Sequence, residues 1–483
     1  MKVIKFGGTS IGTPERFLNV AKIIYRKSEK EFSIVVLSAI GGITDNLLEA
    51  ITLATNGNQE YQKTFEHIKS SHFHFISEVV AANYQEETQK HITKLLDQLE
   101  YKLRGVFLLN ECSDRISDSI VTYGEYLSNN LMVGVLRSCG KECKFYDARK
   151  LIITNSNFGD AEVNFSVTNQ LVQEWYNSLK KNHIPLLNGF TGSNVNGHIT
   201  TLGRSGSDFT ATIIGGALKA SVVEIWTDVD GVLSADPKVV PSAITLDELS
   251  YDEASSLAVL GGKVIHPKTI APVEKYQVPV SILNTFRPDE KGTFISSANN
   301  PNNTGIKTIT YLNGLSSISI FEAESKYGRK ILARLFGLIA RLEIPIVTIC
   351  KSAYNQSIIF IVHAEYQNAF LEEIEREFVL EIEKGFIGEI TSRNNLSLIS
   401  VIGVGRKFTS LIARRIYDVL ENNEIKSILF LNDPGSLNIS FIIDSEDVKK
   451  TVTVLHNEFF WESSDRSASE ISLEETTTAT NAA

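Results

Sequence analysis

The sequence begins with MKVIKFGGTS, residues 1–10, in which a short apolar stretch leads into a lysine, two glycines and two hydroxyl side chains. A glycine-rich turn after a strand lets backbone N–H groups approach an anion, and Lys5 would supply a positive charge beside them. This composition favours a phosphate site. The order is not that of a P-loop, because the lysine precedes Gly7 and Gly8 instead of following them. An ordinary strand-to-helix turn could contain the same residues, so the rest of the chain must decide between the two.

The chain as a whole is 483 residues long, which is too much for one hydrophobic core and suggests two or three domains. Hydrophobic residues make up 43% and charged residues 22%, as in ordinary globular proteins. The net charge of −10 argues against a nucleic-acid partner and against an anionic membrane surface. The sequence has no signal-peptide pattern and no apolar run approaching about 18 residues, so we expect a cytoplasmic protein with no membrane segment.

The four cysteines form no CxxC pair, and Cys139 and Cys143 have no second pair to complete a zinc site. A disulfide framework is not indicated either, and cytosolic thiols are the expected interpretation. His72 and His74 would diverge on a helix, so they do not predict a metal pair. We therefore expect no metal site built from protein side chains.

Strand-like and helix-like segments alternate along the first part of the chain. Residues 2–6 and 32–40 are typical of buried strands, and residues 13–30 between them have helical spacing with Pro14 at the start. Residues 46–109 suggest a helical hairpin, and 119–140 a further helix. This alternation predicts an α/β fold with a mostly parallel sheet covered by helices on both faces. Ligands then bind at the carboxyl ends of the strands.

The character of the sequence changes near residue 300, where a polar, turn-rich stretch predicts a domain boundary. Two similar units follow, each reading strand, turn, amphipathic helix, strand, turn, strand, which is an internal repeat typical of ligand sensing. A purely structural dimerisation module remains the alternative. We predict one domain over residues 1–298, two repeats over 312–392 and 396–462, and a disordered tail over 463–483.

Five further stretches carry polar and charged residues at predicted strand ends or helix starts. They are LSAIGGITD (37–45), GEYLS (124–128), TTLGRSGSDFTAT (200–212), TDVDGVLSADPK (227–238) and GGKVIHPKT (261–269). Each alone has a structural explanation, such as a surface ion pair or a solvated loop charge. Because they occur together at strand ends of one α/β unit, they favour one anion-binding site, and the helix after Arg204 would add its N-terminus to it.

These stretches, together with KFGGTS and GFTG, make the chain resemble the aspartate kinases of the amino acid kinase superfamily. The two C-terminal repeats are similar to the tandem ACT domains of those enzymes. The likeness is strongest to the kinase half of bifunctional aspartokinase–homoserine dehydrogenases, through ERFLNVAKII, ITDNL and EFVLEIEKGF, and it spans about residues 1–460. It implies the amino acid kinase fold followed by two α+β, ferredoxin-like ACT units.

The resemblance also implies a reaction, the ATP-dependent phosphorylation of the L-aspartate side-chain carboxylate to 4-phospho-L-aspartate, with Mg²⁺ accompanying ATP. In the family this is the first step of lysine, threonine and methionine biosynthesis. A carboxylate with a pKa of roughly 3.9 is already ionised at neutral pH, so no general base is needed. Catalysis then consists of positioning and of neutralising the repulsion between the substrate anion and the γ-phosphate.

The resemblance also implies a role for individual residues of this sequence. The catalytic charges fall on Lys5, Asp208 and Lys263. The aspartate contacts fall on Ser38, Thr44, Glu125, Arg204 and Ser207. The nucleotide contacts fall on Lys5, Gly7, Gly8, Thr9, Ser10, Thr227, Asp228, Lys238, Lys263 and Val264. Arg204 suits the α-carboxylate as a bidentate fork, and Glu125 suits the α-ammonium group. The chain departs from the family at Leu233, where a tyrosine is usual, and at Lys238, where an arginine is usual, which bears on nucleotide affinity.

The ACT repeats imply an amino-acid effector, lysine or threonine, often bound at a dimer interface. In this chain Lys351 and Asn432 stand where the threonine-sensitive class has glutamine, and Thr348 stands where the lysine-sensitive class has an acidic residue. We therefore expect a homodimer formed through the ACT domains, with altered or absent feedback. The alternatives are another carboxylate or carbamate kinase, a catalytically weak amino-acid sensor that keeps the fold, and a fragment of a bifunctional enzyme.

Overall fold

The computed structural model describes residues 1–262, 264–297, 305–322, 328–352, 357–403, 409–432 and 437–461. These residues form two compact units. The first comprises Met1–Leu233, Thr245–Val259 and the described residues between 264 and 297. The second comprises Ser234–Ile244, Leu260–Gly262 and the described residues from 305 onward. The predicted disordered tail at 463–483 lies outside the described residues.

The first unit is an α/β unit built on an eight-stranded sheet. Its strands are β1 (Lys2–Phe6), β2 (Ser33–Leu37), β3 (Cys143–Tyr146), β4 (Ile153–Thr154), β5 (Ile184–Asn188), β6 (Thr191–Asn194), β7 (Ile199–Thr201), β8 (Val223–Thr227), β9 (Glu248–Ser250), β10 (Val280–Asn284) and β11 (Thr293–Ser296). The large sheet has the order β3-β5-β2-β1-β8-β10-β11-β9, and β4, β6 and β7 form a small sheet. In the eight-stranded sheet all neighbouring strands are parallel except β10 and β11.

The helices of the first unit follow the strands in alternation. They are α1 (Pro14–Lys30), α2 (Ile43–Thr55), α3 (Tyr61–Val79), α4 (Ala82–Leu109), α5 (Asp114–Val121), α6 (Tyr123–Ser138), α7 (Phe165–Ser178), α8 (Gly206–Leu218), α9 (Tyr251–Val259) and α10 (Pro267–Tyr276). Every residue of β1, β2 and β5 is buried, as expected of parallel strands covered on both faces. The predicted α/β class is confirmed.

Local details follow the sequence signals closely at α1. Thr13 caps the helix by accepting a hydrogen bond from Arg16 N at 3.3 Å, and Pro14 occupies the first helical position. The predicted hairpin over 46–109 consists of three helices, α2, α3 and α4. The helix predicted over 119–140 is divided at Thr122 into α5 and α6.

The second unit holds a six-stranded antiparallel sheet in the order β13-β14-β12-β15-β17-β16. Its strands are β12 (Thr308–Glu322), β13 (Ile346–Lys351), β14 (Ser357–His363), β15 (Ile387–Ile402), β16 (Leu429–Asn432) and β17 (Asn438–Asp444). Its helices are α11 (Gly328–Leu342), α12 (Ala364–Glu377), α13 (Val379–Glu383), α14 (Thr409–Asn422) and α15 (Val448–His456). The predicted repeat of strand, helix and two strands is present in both halves.

The two long strands β12 and β15 are shared between the halves. The start of β12, Thr308–Leu312, pairs with Leu398–Ile402, whereas Ser317–Ile320 pairs with Ile390–Arg393. The half that contains β16 and β17 therefore takes its extra strand from the part of β12 that precedes the first repeat. The predicted ranges 312–392 and 396–462 each cover one contiguous stretch. The second range therefore leaves out the part of β12 that pairs with Leu398–Ile402.

The segment Ser234–Ile244 also belongs to the second unit, although its sequence lies between β8 and β9. Ala235 and Val240 are buried in the hydrophobic cluster around Ile399 and Phe441. Ser234 Oγ lies 2.9 Å from His456 Nε2, and Tyr311 donates to Asp236 Oδ2 at 2.9 Å. No local sequence pattern predicts that these residues leave the first unit.

Candidate active site

Four neighbouring parallel strands of the first unit, β5, β2, β1 and β8, end at the same edge of the sheet. The loops that follow them contain the predicted KFGGTS, LSAIGGITD, GFTG and TDVDG residues. The sequence therefore places its polar loops where parallel α/β sheets bind ligands.

Lys5 and Asp208 form the central charged pair at this edge. Lys5 is in β1, Asp208 is in the first turn of α8, and Lys5 Nζ lies 2.5 Å from Asp208 Oδ1. The Lys5 side chain is 9% exposed and the Asp208 side chain 20%. The contact is an ion pair without hydrogen-bond geometry, since Asp208 Oδ1 accepts no hydrogen bond among the described residues. A cation held at a helix N-terminus makes this place strongly attractive to an anion.

The glycine pair after β1 lies against the loop after β2. Gly41 N donates to Gly8 O at 3.1 Å, and a Cβ on Gly8 would lie 2.9 Å from Ala39 O. A Cβ on Gly7 would lie 3.5 Å from Lys5 Nζ. Glycine is therefore required at position 8 by close backbone approach, and Gly7 keeps the space beside the lysine ammonium open.

The two hydroxyls of the opening motif have different surroundings. Thr9 is exposed, whereas Ser10 is fully buried, with its Oγ 2.7 Å from Thr285 Oγ1 and 3.5 Å from Trp226 O. The Ser10 side chain thus links the end of β1 to the ends of β8 and β10. Its backbone N–H is engaged as well, because it donates to Gly7 O at 3.1 Å, so nothing in the surroundings of Ser10 supports its predicted nucleotide contact.

Glu125 is a buried carboxylate in the first turn of α6 and is 2% exposed. Its Oε1 accepts from Ala39 N at 3.2 Å, and its Oε2 has no hydrogen-bond partner among the described residues. Burial raises the pKa of Glu125 to about 8, against the opposing effects of the Ala39 N–H and the Lys5 charge. A buried carboxylate oxygen without a partner is a fitting acceptor for a ligand cation.

Serine hydroxyls join the loop after β2 to the start of α8. Ser207 Oγ donates to Ser38 Oγ at 3.2 Å, and Ser128 Oγ donates to Ser38 O at 2.7 Å. A Cβ on Gly189 would lie 2.6 Å from Ser207 Cβ, so the loop after β5 also contacts this group. Thr44 is half-buried in the first turn of α2. Ser38 and Ser207 therefore lie within hydrogen-bonding distance of each other, and their roles as substrate contacts stay predictions.

Arg204 is exposed and lies two residues before α8. The next residue, Ser205, has φ of 56°, and Phe190 in the loop after β5 has φ of 66°. A Cβ on Gly206 would lie 2.6 Å from Phe190 Cδ2, so the two loops interlock. Two non-glycine residues in the left-handed region at one site are a strained arrangement typical of ligand-binding loops.

Outside the opening motif, two of the predicted nucleotide residues lie next to each other at the end of β8. Thr227 Oγ1 donates to Asp228 Oδ1 at 3.1 Å at the end of β8, where Asp228 is exposed. Val264 is half-buried ahead of α10. Lys238 is exposed in the segment that belongs to the second unit, and Lys263 lies outside the described residues.

Asp118 is a supporting residue that the sequence analysis missed. Its carboxylate accepts hydrogen bonds from Gly159 N, Thr201 N and Thr201 Oγ1 at 2.9 to 3.1 Å, and it is 3% exposed. It anchors the strand that leads into the Arg204 loop. The local sequence Ser117-Asp118-Ser119 does not predict this role, because Gly159 and Thr201 are distant in the chain.

Among the described residues there is no group of three or more His, Cys, Asp or Glu side chains that could hold a metal ion. No described helix is both long enough and apolar enough to span a membrane. The four cysteines are unpaired.

Comparison with known proteins gives the class. The model of the amino acid kinase family matches residues 1–284, and a model of the ACT domain matches residues 399–459. The chain is similar to the crystal structure of E. coli aspartokinase III in complex with aspartate and ADP, with a TM-score of 0.81 and 27% identity, covering 95% of this chain and 100% of that one. The same enzyme in complex with lysine and aspartate gives a TM-score of 0.75.

Two similar proteins indicate which enzymes of the amino acid kinase family this chain is related to. The bifunctional aspartokinase/homoserine dehydrogenase of Buchnera aphidicola is 31% identical over 468 residues, which are 95% of this chain and 57% of that protein. Aspartokinase 2, chloroplastic, of Arabidopsis thaliana is 31% identical over 469 residues, which are 95% of this chain and 84% of that protein. The chain therefore belongs to the amino acid kinase family, among its aspartokinases. It spans about half the length of the bifunctional relatives it matches.

Proposed function

We propose that this protein is an aspartate kinase that transfers the γ-phosphoryl group of ATP to the side-chain carboxylate of L-aspartate, giving ADP and 4-phospho-L-aspartate. The observation that carries the proposal is the Lys5–Asp208 ion pair at the N-terminus of α8, with a buried carboxylate, Glu125, bonded to the adjoining loop at Ala39 N. This arrangement offers a cation for a transferring phosphoryl group and a carboxyl group that loses its proton when it binds an ammonium group.

The chemistry needs no general base, because the attacking carboxylate is ionised at neutral pH. Lys5 would offset the charge that accumulates as the carboxylate approaches the γ-phosphate, and Asp208 would hold the lysine ammonium in place. The N–H of Gly8 would add a further donor, whereas the N–H of Gly7 already donates to Trp226 O at 3.2 Å. Lys263, Lys238, Thr227, Asp228 and Val264 remain proposed nucleotide contacts on the strength of the family motif.

Substrate selection would rest on Arg204 and Glu125. Arg204 can hold the α-carboxylate through two parallel hydrogen bonds, and Glu125 Oε2 can accept from the α-ammonium group. Ser38, Ser207 and Thr44 would bind the remaining oxygens. Mg²⁺ would enter the site together with the phosphates of ATP and offset part of their negative charge.

We further propose a cytoplasmic homodimer that acts in lysine, threonine and methionine biosynthesis, with altered or absent amino-acid feedback. Unpaired cysteines support the compartment. Lys351 is exposed at the end of β13, and Thr348 lies in the same strand. The family resemblance implies a glutamine at the first position in the threonine-sensitive class and an acidic residue at the second in the lysine-sensitive class. The lysine bound to E. coli aspartokinase III supports an effector in the family.

The test is hydroxylamine trapping with the full chain, ATP and Mg²⁺, comparing L-aspartate with L-glutamate. We expect aspartyl hydroxamate from aspartate alone, and little change when lysine or threonine is added. Hydroxamate from glutamate as well would contradict the assigned substrate. A folded protein that binds an amino acid but forms no hydroxamate would instead be the amino-acid sensor.

A further inference from the structure

A polar cavity lies in the second unit where β12 and β15 exchange partners. It has a volume of about 480 Å³, which is enough for a small metabolite. Its polar lining consists mainly of Asn313, Asn394, Gln367, Asn368 and Ser445, and Leu315 also lines it. None of the described residues that line it carries an ionisable side chain. We call it the crossing cavity.

Two reciprocal hydrogen bonds fix the orientation of the asparagine amides. Ser316 Oγ donates to Asn394 Oδ1 at 3.0 Å, and Ser397 Oγ donates to Asn313 Oδ1 at 2.8 Å. Asn313 and Asn394 occupy the same place in the two repeats, as the sequences NGLS and NNLS show. Because both acceptor oxygens are used, each amide is left with its Nδ2 donors, and neither Nδ2 has a partner among the described residues.

Gln367 supplies a hydrogen-bond acceptor to the same cavity. It is 6% exposed, and its Nε2 donates to Ser392 Oγ at 3.1 Å, which leaves Oε1 as an acceptor with no donor among the described residues. Gln367 lies in the first turns of α12, and that helix has no side-chain hydrogen bond capping its N-terminus. A more than nine-tenths buried amide with a free oxygen at the wall of a cavity indicates a ligand.

The two repeats share the asparagines of the cavity but differ at the position of Gln367. At the same spacing from the paired asparagines, the second repeat has Val448 and Lys449 where the first has Gln367 and Asn368. The serine–asparagine pairs therefore serve the strand crossing in both halves, whereas the glutamine is present in one half only.

We propose that the crossing cavity binds a small hydroxycarboxylate, with its carboxylate on the amides of Asn313 and Asn394 and the start of α12, and its hydroxyl donating to Gln367 Oε1. Two neutral amide donors fit the two oxygens of a carboxylate. The acceptor is a neutral amide rather than a carboxylate, so a hydroxyl fits it better than an ammonium group does. The charged neighbours Arg393 and Asp444 satisfy each other through two contacts of 2.7 Å. This proposal does not depend on the kinase activity.

The test uses hydrogen exchange on the full chain with four probes of similar size, L-lactate, propionate, lactamide and L-alanine. We expect L-lactate to protect the backbone around residues 313–316, 364–368 and 394–397. Propionate lacks the hydroxyl and lactamide lacks the charge, so both should protect less, and L-alanine should not protect at all. Equal protection by L-alanine, or no protection of these segments by L-lactate, would overturn the proposal.

Gln367→Val removes the acceptor oxygen. It introduces the residue that the second repeat has at the equivalent position, Val448, so we expect the variant to fold. It should weaken lactate binding at least about tenfold, the effect of losing one buried hydrogen bond. Ser392→Ala removes the partner of Gln367 Nε2 but keeps Oε1, and should weaken binding less. Unchanged lactate protection in Gln367→Val would also overturn the proposal.

Discussion

Lys5 Nζ lies 2.5 Å from Asp208 Oδ1, although one residue belongs to the first strand and the other to the eighth helix. The pair joins a β1 side chain to the N-terminus of α8. Without Asp208, the lysine ammonium would face the positive end of the helix, which is unfavourable. Asp208 therefore fixes the cation at the place where an anionic group would react.

Replacing Lys5 with methionine should leave the fold intact and abolish most turnover. The loss of one cation that neutralises developing charge costs on the order of 10²–10³-fold in kcat. Lys2→Met is the matched control, because Lys2 lies on the same strand and is paired with Glu224 at 3.2 Å, away from Asp208. The measurement is the rate of hydroxamate formation at saturating substrate. A near-normal kcat in Lys5→Met would remove Lys5 from the mechanism.

The KM for aspartate should depend on the protonation of Glu125. Burial raises the pKa of this carboxyl to about 8, so the ligand-free protein holds it protonated below that pH. The substrate ammonium requires the carboxylate form, so KM should rise by about tenfold for each pH unit below 8. Calorimetry in two buffers of different ionisation enthalpy should show proton release on binding. In Glu125→Gln the KM should be higher than the wild-type KM at pH 8 and should stay flat over the same range.

The same group affects stability in the absence of substrate. Its pKa in the folded state lies above the unfolded value near 4.5, so the folded protein binds the extra proton between pH 4.5 and 8. Stability should therefore fall as the pH rises through that window. Glu125→Gln should reduce this fall, which urea unfolding at pH 5 and pH 8 would measure. An equal fall in both proteins would contradict the raised pKa.

Much of the fold could be predicted from the sequence because its signals are local. The strand at 2–6, the capped helix after Thr13 and the polar loops at strand ends each depend on residues close in the chain. The topology then brings Lys5 to Asp208 and Ser38 to Ser207 because parallel strands end at one edge.

What could not be predicted depends on distant partners. Ser10 looked like a phosphate ligand, yet Thr285 binds its hydroxyl and buries it. The segment 234–244 is held by Tyr311 and His456, which lie far along the chain. The exchange between β12 and β15 arises from pairing across two repeats whose local patterns are nearly alike. Local periodicity carries no information on any of these.

Gly8→Ala should impair catalysis more than stability. The new Cβ would lie 2.9 Å from Ala39 O, so the loop after β1 must move away from the loop after β2. Gly12→Ala is the control, since its Cβ would lie 3.5 Å from Gly8 O, an ordinary contact. We expect kcat to fall by about tenfold or more in Gly8→Ala and to change little in Gly12→Ala. Equal kinetics in the two variants would show that the loop contact is not required.

Arg204→Lys should raise the KM for aspartate and leave kcat nearly unchanged. Lysine keeps the charge but loses the planar fork that holds a carboxylate through two hydrogen bonds. We expect KM to rise by about tenfold. Arg26→Lys, at an exposed position of α1, is the control. An unchanged KM would remove Arg204 from the substrate site, and a large loss of kcat at constant KM would assign it to the phosphoryl group instead.

Asp118→Ala should destabilise the first unit and weaken aspartate binding together. The change leaves the N–H groups of Gly159 and Thr201 without their acceptor, at a cost of about 3 kcal/mol. It also loosens the strand that leads into the Arg204 loop, so KM for aspartate should rise while kcat at saturation changes less. Asp114→Ala, an exposed change in the first turn of α5, should shift the urea midpoint little. Full stability in Asp118→Ala would mean that these hydrogen bonds do not hold the loop.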